Sequence, residues 1–162
     1  MSPAPRVGIL PRGVEHDQEQ SIVEEYLRSS GFRWTSQRAL IVRSALETHE
    51  HFTAEELLDR CRRVDPKISR ATVYRTLSVL EEAGFVEGLE TGDGGRKFEH
   101  VVGHEHHDHM VCLSCDKILE FRDDELERRQ ELAAQRAGFS IQRHSLRIYG
   151  HCKECRQAPE RA

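Results

Sequence analysis

The stretch His100 to Phe121, HVVGHEHHDHMVCLSCDKILEF, concentrates side chains that bind metal ions. It holds five of the ten histidines, His100, His104, His106, His107 and His109, together with Glu105, Asp108, Glu120 and the pair Cys112/Cys115. Imidazole and carboxylate suit first-row divalent ions, and thiolate suits zinc. A second C-x-x-C pair, Cys152/Cys155, follows, with 36 residues between Cys115 and Cys152. Two such pairs supply four thiolates to one tetrahedral Zn²⁺. The interval is long enough for a strand, a helix and a return strand. A redox dithiol is the competing reading of C-x-x-C, but no βαβ pattern surrounds either pair. Cys61, the odd cysteine, lies beside Leu58 and one helical turn after Leu57, where a small buried hydrophobe is expected.

If residues 106–112 are extended, their side chains alternate between two faces. His106 and Asp108 then point one way with Met110 and Cys112, while His107 and His109 point the other way with Val111. One HHDH run therefore feeds two different sites. Neither pair completes an N/O coordination sphere alone. Glu99, Glu120, Glu127, His144 and His51 are the candidates to complete them.

The rest of the chain supplies elements to position these groups. Residues 1–14 hold three of the five prolines and read as a flexible tail. Ile22, Val23, Tyr26 and Leu27 have amphipathic helix spacing within 15–30, and Gly31 ends that helix. Thr35 or Ser36 caps a second helix. The T-x-x-E pattern at Thr53 is a capping box that opens a third. Ser69 opens a fourth, in which Val73, Leu77 and Leu80 form a core stripe. Arg70, Ala71, Tyr74, Arg75 and Ser78 fall on its opposite face, small at Ala71 and otherwise cationic or hydrogen-bonding, as a helix entering a major groove requires. Gly84 stops it. Phe85-Val-Glu and Arg96-Lys-Phe-Glu then flank T-G-D-G-G as a β-hairpin. Helices ending in a hairpin resemble a winged helix-turn-helix. Beyond, 109–113 and 117–121 read as short strands, Asp123-Asp124 caps a helix to about Ala137, and 139–149 is β-rich.

The 162-residue chain is 37% hydrophobic and carries a formal charge of −4. Two small domains of this composition have thin cores, which makes a structural metal or a subunit interface useful. Net acidity argues weakly against nucleic acid, but the span 28–75 has ten Lys/Arg against six Asp/Glu, a local excess of four positive charges. No apolar run approaches the ~20 residues of a membrane span, and the N-terminus lacks a charged start followed by an apolar core. With paired cysteines that read as metal ligands, a cytoplasmic location is expected. No HExxH or similar pairing is present, so no enzyme activity is expected.

HHDHMVCLSCDKILEF, SRATVYRTLSVLEEAGFVE and HSLRIYGHCKEC together resemble the ferric uptake regulator family over roughly 15–155. The resemblance implies an α+β homodimer, with an N-terminal winged helix-turn-helix domain over 15–99, a hinge at 100–105, a small α/β dimerisation and metal-binding domain over 106–156, and a tail at 157–162. It implies structural zinc on Cys112, Cys115, Cys152 and Cys155. It assigns His51, Glu99, His107, His109 and Glu120 to a regulatory metal, and His106, Asp108, Glu127 and His144 to an additional one. It places Tyr74 and Arg75 on DNA, joined by Arg70 from the outer face, with Arg33 approaching the minor groove. The segment from Glu99 to His106 is a residue longer than in common members, and His100 and His104 match no family role, so they read as solvated linker histidines. Peroxide-sensing members carry Asp where this chain has Glu120.

The expected function is a metal-responsive regulator that binds a double-stranded DNA operator, most specifically an iron-sensing repressor of metal-uptake genes. The regulatory ligands suit Fe²⁺, Mn²⁺, Co²⁺ or Zn²⁺. A zinc- or peroxide-sensing member of the same family is the nearer alternative. A metal-storage or buffering protein without specific DNA binding is the alternative from another class.

Overall fold

The computed structural model describes residues 16–157, so the tail expected at 1–14 lies outside the described residues, as does the tail expected at 157–162 except for Gln157, which ends a helix. The chain forms two compact units. The first takes the residues up to Glu90 together with Arg96–Glu105, and the second takes Thr91–Gly95 and the chain from His106 onward.

The first unit contains α1 (His16–Ser29), α2 (Ser36–Leu46), β1 (Phe52–Thr53), α3 (Ala54–Val64), α4 (Arg70–Ala83), β2 (Val86–Glu90) and β3 (Arg96–His100). Its helix starts are set by side-chain caps that satisfy otherwise unpaired backbone N–H groups. Thr35 accepts from Arg38 N–H, and Ser69 accepts from Thr72 N–H. Thr53 and Glu56 close a reciprocal capping box. Gly84 ends α4 at φ 85°, a left-handed conformation that suits glycine. Val23, Leu27, Ile41, Leu57, Val73, Leu77 and Leu80 meet in one apolar core with Phe52 and Phe85. Cys61 is buried there, and that burial pushes its thiol pKa up, as fits a packing residue.

The turn between α3 and α4 is organised by Asp65. Its carboxylate accepts from Gln37 Nε2 at 3.0 Å and from Lys67 N–H at 2.9 Å. The Gln37 bond and then the Lys67 amide hold its pKa below the usual carboxylate range. Strands β1, β3 and β2 form an antiparallel sheet in that order, with β2 and β3 as the expected hairpin.

The second unit contains β4 (Asp108–Cys112), β5 (Ile118–Phe121), α5 (Asp124–Arg136), β6 (Arg147–Gly150) and α6 (Lys153–Gln157). Strand β4 is central, antiparallel to β5 and parallel to β6. Asp123 caps α5 by accepting from Glu125 and Leu126 N–H. This unit is poorly supplied with apolar burial. Among its described residues, Val111 and Cys112 are the only buried hydrophobics, and α5 buries none of its residues. A core this thin needs cross-links of another kind.

Two expectations are corrected here. The segment 139–149 is not β-rich: only Arg147–Gly150 is strand. Just before it, Leu146 C=O accepts from His109 N–H and Leu146 N–H donates to the Asp108 carboxylate, so a side chain takes the place of one ladder bond. His100 is not a solvated linker residue. It ends β3, is 6% exposed, and hydrogen-bonds through Nε2 to the buried Glu19 carboxylate. A carboxylate 81 positions away in sequence gives no local signal of that burial.

Candidate metal centres and nucleic-acid face

The four paired cysteines converge at one end of the second unit's sheet. Because β4 and β6 run parallel, with Cys112 opposite Gly150, both C-x-x-C segments leave the same edge. Leu113 N–H donates to Gly150 C=O at 2.7 Å and fixes the two exits side by side. Asp116, at φ 56°, turns the chain back into β5. All four sulfurs lie within 4.8 Å of one another, and Cys115 and Cys152 Sγ are 3.8 Å apart. A tetrahedron with ~2.3 Å zinc–sulfur bonds has edges of about 3.8 Å. Donation from Cys152 N–H, then from Ser114 N–H, holds the Cys112 thiol pKa down at about 6. Contact with the Cys152 sulfur, then with Cys115, pushes Cys155 up to about 12. Cys112 ionises readily while Cys152 and Cys155 resist, a conflict that a divalent cation removes. The donor set fits zinc.

A second group assembles from the start of β4, the first turn of α5 and the segment before β6. His106 Nε2 lies 3.3 Å from Asp108 Oδ1 and 3.5 Å from Glu127 Oε1, and His144 Nε2 lies 2.7 Å from Glu127 Oε2. Asp108 Oδ1 also accepts from Leu146 N–H at 3.1 Å, whereas Oδ2 is buried without a hydrogen-bond partner. A buried carboxylate oxygen left unpaired costs free energy, and a cation at this donor set would relieve it. All four residues expected from the sequence are brought together.

The expected regulatory ligands divide between the units, and each half is assembled within its own. In the first, the pairing of Phe52 with Phe98 sets His51 beside Glu99, with Nε2 3.4 Å from Oε2. In the second, His107 and His109 rings are 4.9 Å apart. His107 Nε2 is 3.9 Å from Glu120 Oε2, and Glu120 stands opposite His109 across the β4–β5 ladder. The separation of 107/109 from 106/108, expected from strand alternation, is present.

On α4 the side chains of Arg70, Ala71, Tyr74, Arg75 and Ser78 are exposed, as is Arg33 before α2. Residue spacing carries no sign that α3 reaches this face. Glu55 Oε1 lies 2.9 Å from Arg70 Nε and accepts from Tyr74 OH at 2.9 Å. Residues 55 and 70 belong to different helices, so no periodicity argument links them.

A helix-turn-helix unit with a β-hairpin, together with a unit that gathers thiolates, imidazoles and carboxylates, defines a metal-responsive transcriptional regulator. The model of the ferric uptake regulator family matches residues 29–149, and the chain belongs to that family. It is 36% identical over 149 residues to the ferric uptake regulation protein of Campylobacter jejuni, covering 91% of this chain and 94% of that protein. It is also 36% identical over 144 residues to the peroxide-responsive repressor PerR of Staphylococcus epidermidis, covering 89% and 93%. Among solved structures, the Helicobacter pylori ferric uptake regulator Fur superposes with a TM-score of 0.77 at 31% identity, covering 92% of this chain and 99% of that one.

Proposed function

We propose that this chain is an iron-sensing repressor of metal-uptake genes that binds operator DNA as a homodimer when its regulatory site is loaded. The observation that carries this reading is the division of the regulatory set. His51 and Glu99 belong to the unit that carries α4, whereas His107, His109 and Glu120 belong to the unit that carries the thiolates. When bound, a divalent ion supplies one charge centre to which both halves can ligate. Ligands from both halves then couple the DNA-reading unit to the dimerisation unit. In a dimer, that coupling sets the spacing of two recognition helices against half-sites about one helical turn apart. Without it, DNA binding must itself supply the ordering free energy, which lowers apparent affinity.

Each remaining residue set has its own task. Cys112, Cys115, Cys152 and Cys155 hold structural Zn²⁺ and stabilise a unit with little apolar core. His106, Asp108, Glu127 and His144 hold a further ion, and the H. pylori relative has three functional metal binding sites. The regulatory ligands suit Fe²⁺, Mn²⁺ or Zn²⁺ by donor type. Arg70, Tyr74 and Arg75 face DNA, with Arg33 toward the minor groove.

A second copy of the chain is supported by an apolar row across the second unit's sheet. Leu119, Met110 and Ile148 stand in register on β5, β4 and β6, and all three are exposed. The PerR likeness favours peroxide sensing as a second reading, and Glu120 favours iron. Operator titration against Fe²⁺, Mn²⁺ and Zn²⁺, combined with metal analysis and peroxide challenge, separates them. Tightest metal-dependent binding with Fe²⁺ that survives mild peroxide supports the iron reading, and irreversible loss after peroxide supports the second. Metal uptake with no operator preference would point to storage or buffering.

A further inference from the structure

Two histidines that the family pattern leaves without a role meet a third inside the first unit. His100 ends β3 and is buried, and its Nε2 is bonded to the carboxylate of Glu19 on α1. The Glu19 carboxylate takes Nε2, so any further bond of the ring falls to Nδ1. That Nδ1 is buried and has no hydrogen-bond partner. Gly103, at φ 77°, turns the chain after β3 and brings the His104 ring to 5.0 Å from that of His100. The His49 ring, in the loop after α2, is 5.4 Å from His104. Two imidazoles bound to one ion through ~2.0–2.1 Å metal–nitrogen bonds have ring centres roughly 5 Å apart. The His107/His109 pair shows the same spacing, 4.9 Å.

We propose that His100, His104 and His49 form a further site for a divalent transition-metal ion within the winged-helix unit, with Glu19 as the carboxylate behind His100. The carboxylate–histidine arrangement orients a metal-ligating ring and raises its basicity. Three imidazoles with no thiolate suit Zn²⁺, Co²⁺, Ni²⁺ or Cu²⁺. His49 and His104 stand at the surface, where rotamer exchange is fast and lets them close on an ion held by the buried nitrogen. The site joins α1, the loop after α2 and the segment after β3, and its occupant would stiffen the unit that carries α4. It shares no ligand with the three sets already described.

The test uses the full chain with its four cysteines loaded with zinc. Bound Co²⁺ is counted by equilibrium dialysis and d–d absorption for the wild type and for H49Q/H104Q. The substitutions lie at exposed positions, which avoids stranding Glu19 as His100→Ala would. The proposal predicts one Co²⁺ equivalent fewer in the double variant, with the remaining equivalents unchanged in affinity. Glu19→Gln should weaken the same equivalent about 10- to 100-fold. Equal Co²⁺ equivalents in wild type and double variant would overturn the site, and an unchanged affinity in Glu19→Gln would overturn the part given to Glu19.

Discussion

The backbone N–H of Cys152 donates to Sγ of Cys112 at 3.3 Å, joining the chain after β6 to the last residue of β4. This bond prepares one thiolate, and the other three sulfurs wait within reach. Structural zinc sites in small domains contribute about 10–16 kcal/mol of apparent binding energy, as much as the whole stability of a small domain. Cys112→Ser or Cys155→Ser should release the zinc and unfold the second unit, read as lost zinc content and collapsed amide dispersion by NMR. The first unit, with its own apolar core, should keep its helical signal. Zinc affinity should fall as pH is lowered, because the thiol protons must leave on binding. Cys112 gives up its own proton from about pH 6 upward, so the steepest loss is expected below that point.

Glu55 of α3 occupies Arg70 and Tyr74 of α4 at once, so α3 supplies a competitor for phosphate at the proposed DNA face. Glu55→Gln should tighten binding to non-cognate duplex by roughly 2- to 5-fold, the range of an exposed ion pair, in fluorescence anisotropy at fixed salt. Arg75→Ala should instead weaken operator binding by about 1–3 kcal/mol if it reads a base. If it contacts only phosphate, the loss should be uniform across sequences and the salt slope should drop by about one.

Asp108 has two tasks that one substitution can separate. Asp108→Asn keeps an Oδ1 acceptor for Leu146 N–H and removes the anionic donor. It should lose one bound metal equivalent with little change in Tm. Asp108→Ala should lose the same equivalent and also destabilise the second unit by about 1–3 kcal/mol, because Leu146 N–H is left without its acceptor. Thermal melts beside metal analysis of the two variants make the comparison.

Met110, Leu119 and Ile148 leave an apolar row on the exposed face of β4, β5 and β6. Ile148→Glu places a charge in that row at an exposed position. Sedimentation should show a shift from dimer to monomer at micromolar concentration, with zinc content unchanged and operator affinity reduced because one half-site is lost.

Much of the fold was legible because its signals are local. The caps at Thr35, Thr53, Ser69 and Asp123 each sit within three residues of the amide they satisfy, and the stop at Gly84 follows from one backbone angle. The two faces of the HHDH run were legible from strand alternation alone. The groups that were not legible depend on distant partners. Glu19 with His100, and Glu55 with Arg70 and Tyr74, join different elements, and no spacing rule encodes them. His51, Glu127 and His144 could be assigned to particular clusters only through the family resemblance, because strand and helix periods say nothing about which loop returns to which strand. The segment 139–149 misled because its β-rich composition is met by Leu146 N–H donating to Asp108 and Leu146 C=O accepting from His109 N–H in place of a longer ladder.

The claim that metal occupancy gates DNA binding is tested most directly by operator titration of H107A/H109A with its structural zinc retained. Under anaerobic conditions, Fe²⁺ or Mn²⁺ should tighten wild-type binding by about 5- to 150-fold, the usual range of coupling between two sites, and the variant should show no such gain. Metal-dependent tightening of equal size in the variant would rule out gating by this site.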